Sequence, residues 1–217
     1  LTELGDEATA EGEAEEAAEA YAAAGLKGRI PNSATETKSF GTGFALIDDR
    51  GSLGFSVGYY DTDYGVPARP ALEHHHDAGG HDHGDVTIGL KQWRADLRGE
   101  VEAGGSFIDA VRIRAGFADY QHTEFEGGAV GTTFYNQGIE GRIEIAQAKR
   151  AGWTGSSGFQ YFSRNLSAVG DEAFLPPNQT EQMGFFTLQE WELGAVGLEG
   201  ALRYEHTHVA APAIDQS

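Results

Sequence analysis

From residue 38 to about residue 209 the chain alternates apolar and polar side chains with a period of two, in segments longer than ordinary globular strands. Leu53, Phe55, Val57 and Tyr59 alternate with Gly54, Ser56 and Gly58. Phe107, Val111, Ile113, Ala115 and Phe117 share one parity, with Arg112, Arg114 and Gly116 on the other. Tyr135, Ile139, Ile143 and Ile145 stand against Asn136, Glu140, Arg142 and Glu144, and Val196, Leu198, Leu202 and Tyr204 against Glu199, Arg203 and Glu205. Successive side chains of a strand point to opposite faces, so this pattern dictates an all-β chain whose sheet is apolar on one side and polar on the other.

Eight strands are expected near 38–48, 52–62, 86–101, 106–121, 131–148, 152–164, 181–192 and 196–209. Short turns are predicted at Asp48–Gly51, Glu102–Gly105, Lys149–Gly152 and Leu193–Ala195, and longer loops at 63–85, 122–130 and 165–180. In an up-and-down meander every second connection lies at the same end. Tight turns at one end and long loops at the other are the pattern of an outer-membrane barrel, with turns periplasmic and loops extracellular. The expected fold is therefore an antiparallel meander of about eight long strands, part of a transmembrane β-barrel. Trp93, Trp153, Trp191, Tyr135 and Tyr161 are candidates for its aromatic girdles. Two other folds share the alternation: a complete small barrel of eight strands with a structural or adhesive role, and a soluble, metal-binding β-sandwich.

Composition narrows the function. A formal charge of −19 disfavours nucleic acid, whose phosphates need clustered Lys and Arg, and suits cations. With no cysteine, disulfides, thiolate metal sites and cysteine nucleophiles are all excluded. No run of about 18 apolar residues exists for a membrane helix, whereas a barrel strand needs only ~9–11 alternating residues. Residues 1–29 form an acidic, low-complexity loop or linker rich in Ala and Glu, with helix favoured around 13–24. The barrel segment is expected over 30–209 and a truncated tail over 210–217. The start at Leu1, without a basic or apolar leader, suggests an internal fragment.

Metal-ligating residues cluster in three places. Residues 73–83 read Glu-His-His-His-Asp-Ala-Gly-Gly-His-Asp-His, so His74, His75, His76, Asp77, His81, Asp82 and His83 are candidate ligands for Zn²⁺, Cu²⁺ or Ni²⁺. Intervening glycines let such a tract fold back on itself. A second group, Asp119, His122, Glu124 and Glu126, places the last three on one face of an extended strand. His206 and His208 form the third, also sharing a face. All three map to the long-loop end, where all eight histidines then gather. The chain is not expected to be an enzyme: Gly155-Ser156-Ser157-Gly158 lacks the strand–turn–helix setting of a nucleophile elbow, and no phosphate loop, dinucleotide fingerprint or HExxH occurs.

Several stretches resemble TonB-dependent outer-membrane receptors, above all the zinc-uptake (ZnuD-like) group. They are Gly28-Arg29-Ile30-Pro31-Asn32-Ser33, Tyr64-Gly65-Val66-Pro67, Asp119 through Gly127 with Thr133-Phe134, and Gly170-Asp171-Glu172-Ala173-Phe174-Leu175-Pro176-Pro177. They occur in order over about residues 28–209. The resemblance implies a 22-stranded barrel in the Gram-negative outer membrane, plugged by an N-terminal domain and driven through TonB. It also implies import of a metal ion or chelate, zinc favoured, as cargo, with no resident cofactor required. The histidine tract after Tyr64-Gly65-Val66-Pro67 then matches the extracellular metal-capturing loop, and this chain holds about a third of the strands, with the plug outside it.

Overall fold

The computed structural model describes residues 1–67, 85–170 and 173–211. Eight strands follow two helices: α1 (Thr2–Glu11), α2 (Ala14–Ala24), β1 (Thr35–Asp48), β2 (Gly51–Val66), β3 (Val86–Glu102), β4 (Ile108–Glu126), β5 (Ala129–Arg150), β6 (Trp153–Gly170), β7 (Asn178–Leu193) and β8 (Val196–Ala210). All eight strands lie in one antiparallel sheet, in the order β1-β2-β3-β4-β5-β6-β7-β8. The expected up-and-down meander is present. The sheet is open, since among the described residues β1 pairs with β2 alone and β8 with β7 alone.

The helices arise from the acidic Ala/Glu segment. Gly12 ends α1 in the left-handed conformation (φ 86°), which its missing Cβ allows, and α2 turns back on α1. Tyr21 lies over Gly5, where an added Cβ would come 2.8 Å from the ring, and its hydroxyl donates to Asp6 at 2.6 Å. Ala8, Ala17 and Ala20 are buried between the two helices, which pack on each other and not on the strands. The helix expected around 13–24 corresponds to α2; α1 is additional. Downstream, Asn32 Nδ2 donates to the carbonyls of Val66 (2.9 Å) and Val86 (2.7 Å), fastening the segment before β1 to the ends of β2 and β3.

Strand boundaries differ from expectation mainly at one end of the sheet. The strands run further there, so the connections shrink to 67–85, 127–128 and 171–177. The middle one is a correction. Gly127 (φ 55°) and Gly128 (φ 85°) form a two-residue hairpin, the double positive-φ turn that matches strand twist. At the other end, β5 and β6 join through Ala151 (φ 49°) and Gly152 (φ 78°) in the same way. The sorting of connections by length is thus incomplete: one tight turn shares the end that holds the chain between β2 and β3.

Pairing carries each row of side chains obliquely across the sheet. The large apolar residues of one face run over Phe40–Leu46 in β1, Leu53–Tyr59 in β2, Trp93–Val101 in β3, Val111–Phe117 in β4, Ile139–Ile145 in β5, Trp153–Tyr161 in β6, Met183–Leu193 in β7 and Val196–Tyr204 in β8. Traced through the register, the midpoint of this belt slides in one direction, most of all between β5 and β6. The slip is about seven residues between β1 and β8. At ~3.4 Å per residue and ~4.8 Å per strand, the belt crosses the strands' perpendicular at roughly 35°. The connections at both ends slide the same way, so the sheet is a sheared parallelogram.

Candidate functional site

Two chemically opposite faces define what the sheet can contact. Alternation places Phe55, Leu97, Ala115 and Tyr161 on one face, and Ser56, Asp96, Gly116 and Gln160 on the other. The apolar face is uncovered: Phe44 is 64% exposed, Phe185 59% and Leu202 71%. Buried apolar side chains among the described residues are only Ala8, Ala17 and Ala20 in the helices and Ala110 in β4. Among the described residues the sheet therefore has no core of its own and no second layer. Contiguous apolar surface on this scale marks a contact face, because monomeric soluble proteins rarely expose more than a few hundred Å² in one patch.

Aromatic rings border the belt. On the side of the 67–85 connection lie Tyr59 and Trp93, whose centroids are 4.7 Å apart, followed obliquely by Tyr161 and Tyr204. On the opposite side Trp153 and Trp191 stack at 6.2 Å with their planes 9° apart, and Phe107 adjoins Trp153 at 6.1 Å. Tyr135 shares the face but lies beyond the border, level with Lys91 and Asp61. With strands tilted by roughly 35°, the belt is about 17–28 Å high, a range that includes the ~25 Å apolar band of outer-membrane barrels.

The polar face is a wall of small and charged residues. Arg112 reaches Glu100 on β3 (3.2 Å) and Glu144 on β5 (3.3 Å), and Arg142 also reaches Glu144 at 2.6 Å. Arg94 grips Asp96 through two bonds of 2.8 Å, and Arg203 pairs with Glu205. Gly158 leaves the space in which Phe186 lies: an added Cβ would come 2.3 Å from its Cζ, and the ring in turn receives the Arg142 guanidinium at 4.1 Å. These pairs are partly solvated, so each contributes little stability; what they fix is a hydrated, charged surface.

The candidate metal ligands divide between the two faces. His122, Glu124 and Glu126 lie near the end of β4, on the polar wall. His122 Nε2 stands 3.5 Å from Glu124 Oε1, and His122 Nδ1 is 3.2 Å from the Tyr120 hydroxyl. Phe134 packs beside the imidazole at 5.6 Å. Asp119 is on the other face of β4, opposite Gln137. His206 and His208 follow Leu202 and Tyr204 on the apolar face, opposite Met183 and Glu181, and are exposed. The two groups thus share an end of the sheet but cannot share a metal ion within it. No cluster of three or more acidic or histidine side chains gathers for a metal among the described residues. His74, His75, His76, Asp77, His81, Asp82 and His83 lie outside the described residues.

Alternation assigns the polar face, and what sequence reasoning missed is the set of ion pairs across it. The cross-strand ladder around Arg112 depends on register, which parity alone does not supply, whereas the Gly127-Gly128 dipeptide is a hairpin signal that the expected loop over 122–130 passed over. No known protein-family model matches the chain.

Proposed function

We propose that the chain is a wall segment of an outer-membrane β-barrel receptor of the TonB-dependent kind, which captures a transition metal, zinc favoured, or its chelate. The observation that carries this reading is the oblique apolar belt. Barrel closure requires strands tilted by about 35–45°, and a belt level with the bilayer must then cross the strands at that slant. A belt slipping about one residue per strand, bordered by aromatic rings and uncovered by protein, meets both conditions.

Lipid exposure constrains the sheet edges. Each unpaired backbone group in hydrocarbon costs several kcal/mol, so the free edges of β1 and β8 take further strands of a larger barrel. A self-contained barrel of eight strands would instead pair β1 with β8, and a sandwich would cover the apolar face with a second sheet. Neither arrangement occurs among the described residues.

In this reading the histidine tract at 74–83 makes first contact with the metal, using neutral imidazole and carboxylate donors that exchange readily. His122 and Glu124 receive it at the mouth, and the polar wall lines its route inward. No bond in the cargo is made or broken. The TonB system supplies the energy through a plug outside this chain. Dilution of the detergent-solubilised chain into phospholipid vesicles, followed by flotation, tests the membrane assignment. The protein is expected to float with the vesicles and withstand a carbonate wash; a monomer stable in buffer without detergent contradicts it.

A further inference from the structure

We infer that the polar wall carries a binding site for polycarboxylate anions, centred on Arg98 and Arg114 beside Arg142. The inference rests on the wall's own geometry and stands whether or not the opposite face meets lipid.

Register puts Arg98 directly opposite Arg114, and Arg114 directly opposite Arg142. Neighbouring strands lie ~4.8 Å apart, so three guanidinium groups issue from a line of about 10 Å. Like charges placed directly opposite destabilise a sheet. The adjacent row shows the usual remedy: Glu100, Arg112 and Glu144 alternate in sign across the same three strands and pair with one another. The arginine row has no such internal compensation. Arg142 turns aside to Glu144 and Phe186, while Arg98 and Arg114, both exposed, make no ion pair among the described residues.

The surroundings leave positive charge in surplus. Arg94 is occupied by Asp96, and Arg164 on β6 makes no ion pair among the described residues. Asp96 also lies within electrostatic reach of Arg98, and Glu140 of Arg94, but Arg98, Arg114 and Arg164 make no ion pair among the described residues and Glu140 is the one acid of this patch that makes none, on a chain of net charge −19. The patch is also concave. Gly116, Ala118 and Gly138 place no large side chain between Arg94 and Arg164, leaving a depression of about 420 Å³. It adjoins a second, of about 250 Å³, that contains the arginine row.

Guanidinium is a planar fork that takes a carboxylate through two parallel charge-assisted bonds. Arginines rooted on neighbouring strands ~5 Å apart can bring their forks to carboxylates on neighbouring carbons of one small molecule. The arginine row itself favours an anion over a bare cation.

Calorimetric titration of the full chain in non-ionic micelles with citrate, acetate and inorganic phosphate tests the site. Citrate is expected to bind saturably, at least tenfold more tightly than acetate or phosphate, and to weaken as salt rises. Arg98→Gln and Arg114→Gln should each weaken citrate by about tenfold, since a charge-assisted pair is lost. Arg203→Gln, on the same face but away from the row, should change it less than twofold. Because Arg114→Gln also relieves like-charge repulsion, it should leave the citrate-free chain at least as resistant to unfolding as the parent. Citrate binding no tighter than that of acetate, equal binding of phosphate, or undiminished citrate binding by the folded Arg98→Gln/Arg114→Gln double variant would each overturn the assignment.

Discussion

Replacing Ile143 by arginine is expected to destabilise the bilayer-reconstituted protein by ~2–4 kcal/mol, the cost of a cationic side chain near the membrane midplane of a barrel. Ile143 sits within the belt on β5, opposite Ile113 and Phe159, and is 45% exposed in the chain alone. Its protein contacts are too few for packing loss to produce an effect of that size. Gln121→Arg provides the comparison. Gln121 is on the same face but beyond the belt, level with Lys91, so near the interface the change should cost ~0–1 kcal/mol. Equilibrium unfolding in vesicles of both variants measures the difference; equal effects at the two positions would mean that depth along the strand does not matter.

The second large effect concerns metal capture. Changing His74, His75, His76, His81 and His83 together to serine should lower the chain's zinc affinity by tenfold or more, because hydroxyls are poor substitutes for neutral imidazole. The sheet should keep its far-ultraviolet spectrum. His122→Ala is expected to have a smaller effect, since His122 and Glu124 offer two donors against the five histidines of the tract. His206→Ala with His208→Ala should leave zinc binding unchanged, because both project from the apolar face, away from the wall that carries His122. Calorimetric zinc titration of the three variants separates these outcomes. An unchanged affinity in the five-histidine variant would remove the tract from the mechanism.

Much of the architecture was legible in the sequence because a strand writes its two faces into alternate residues. All eight strands appear where parity placed them, with ends shifted by a few residues. The alternation weakens before the chain does: Asp119, Gln121 and Thr123 carry the apolar-face parity of β4 past Phe117 with polar side chains, so the strand outruns its apolar signal. That extension turned an expected loop into the Gly127–Gly128 hairpin. Position was harder to read than identity at the candidate site. His206 and His208 have the parity of Leu202 and Tyr204, which assigns their face from sequence alone, whereas the arginine row and the oblique course of the belt exist only once neighbouring strands are in register. The helical hairpin depends on Tyr21 meeting Gly5, a contact sixteen residues apart that Ala/Glu composition does not disclose.

The account depends on which medium meets each face of the sheet, and β4 allows this to be measured directly. The chain has no cysteine, so single cysteines introduced one at a time at positions 111–118 can each carry a spin label without background. In vesicles, labels at 111, 113, 115 and 117 should relax with oxygen dissolved in the lipid, and those at 112, 114, 116 and 118 with a water-soluble nickel complex. An alternation of that kind, with lipid contact deepest near 113 and 115, is the predicted result. Odd-numbered labels shielded from both reagents, as between two protein layers, or open to the aqueous one, would contradict it.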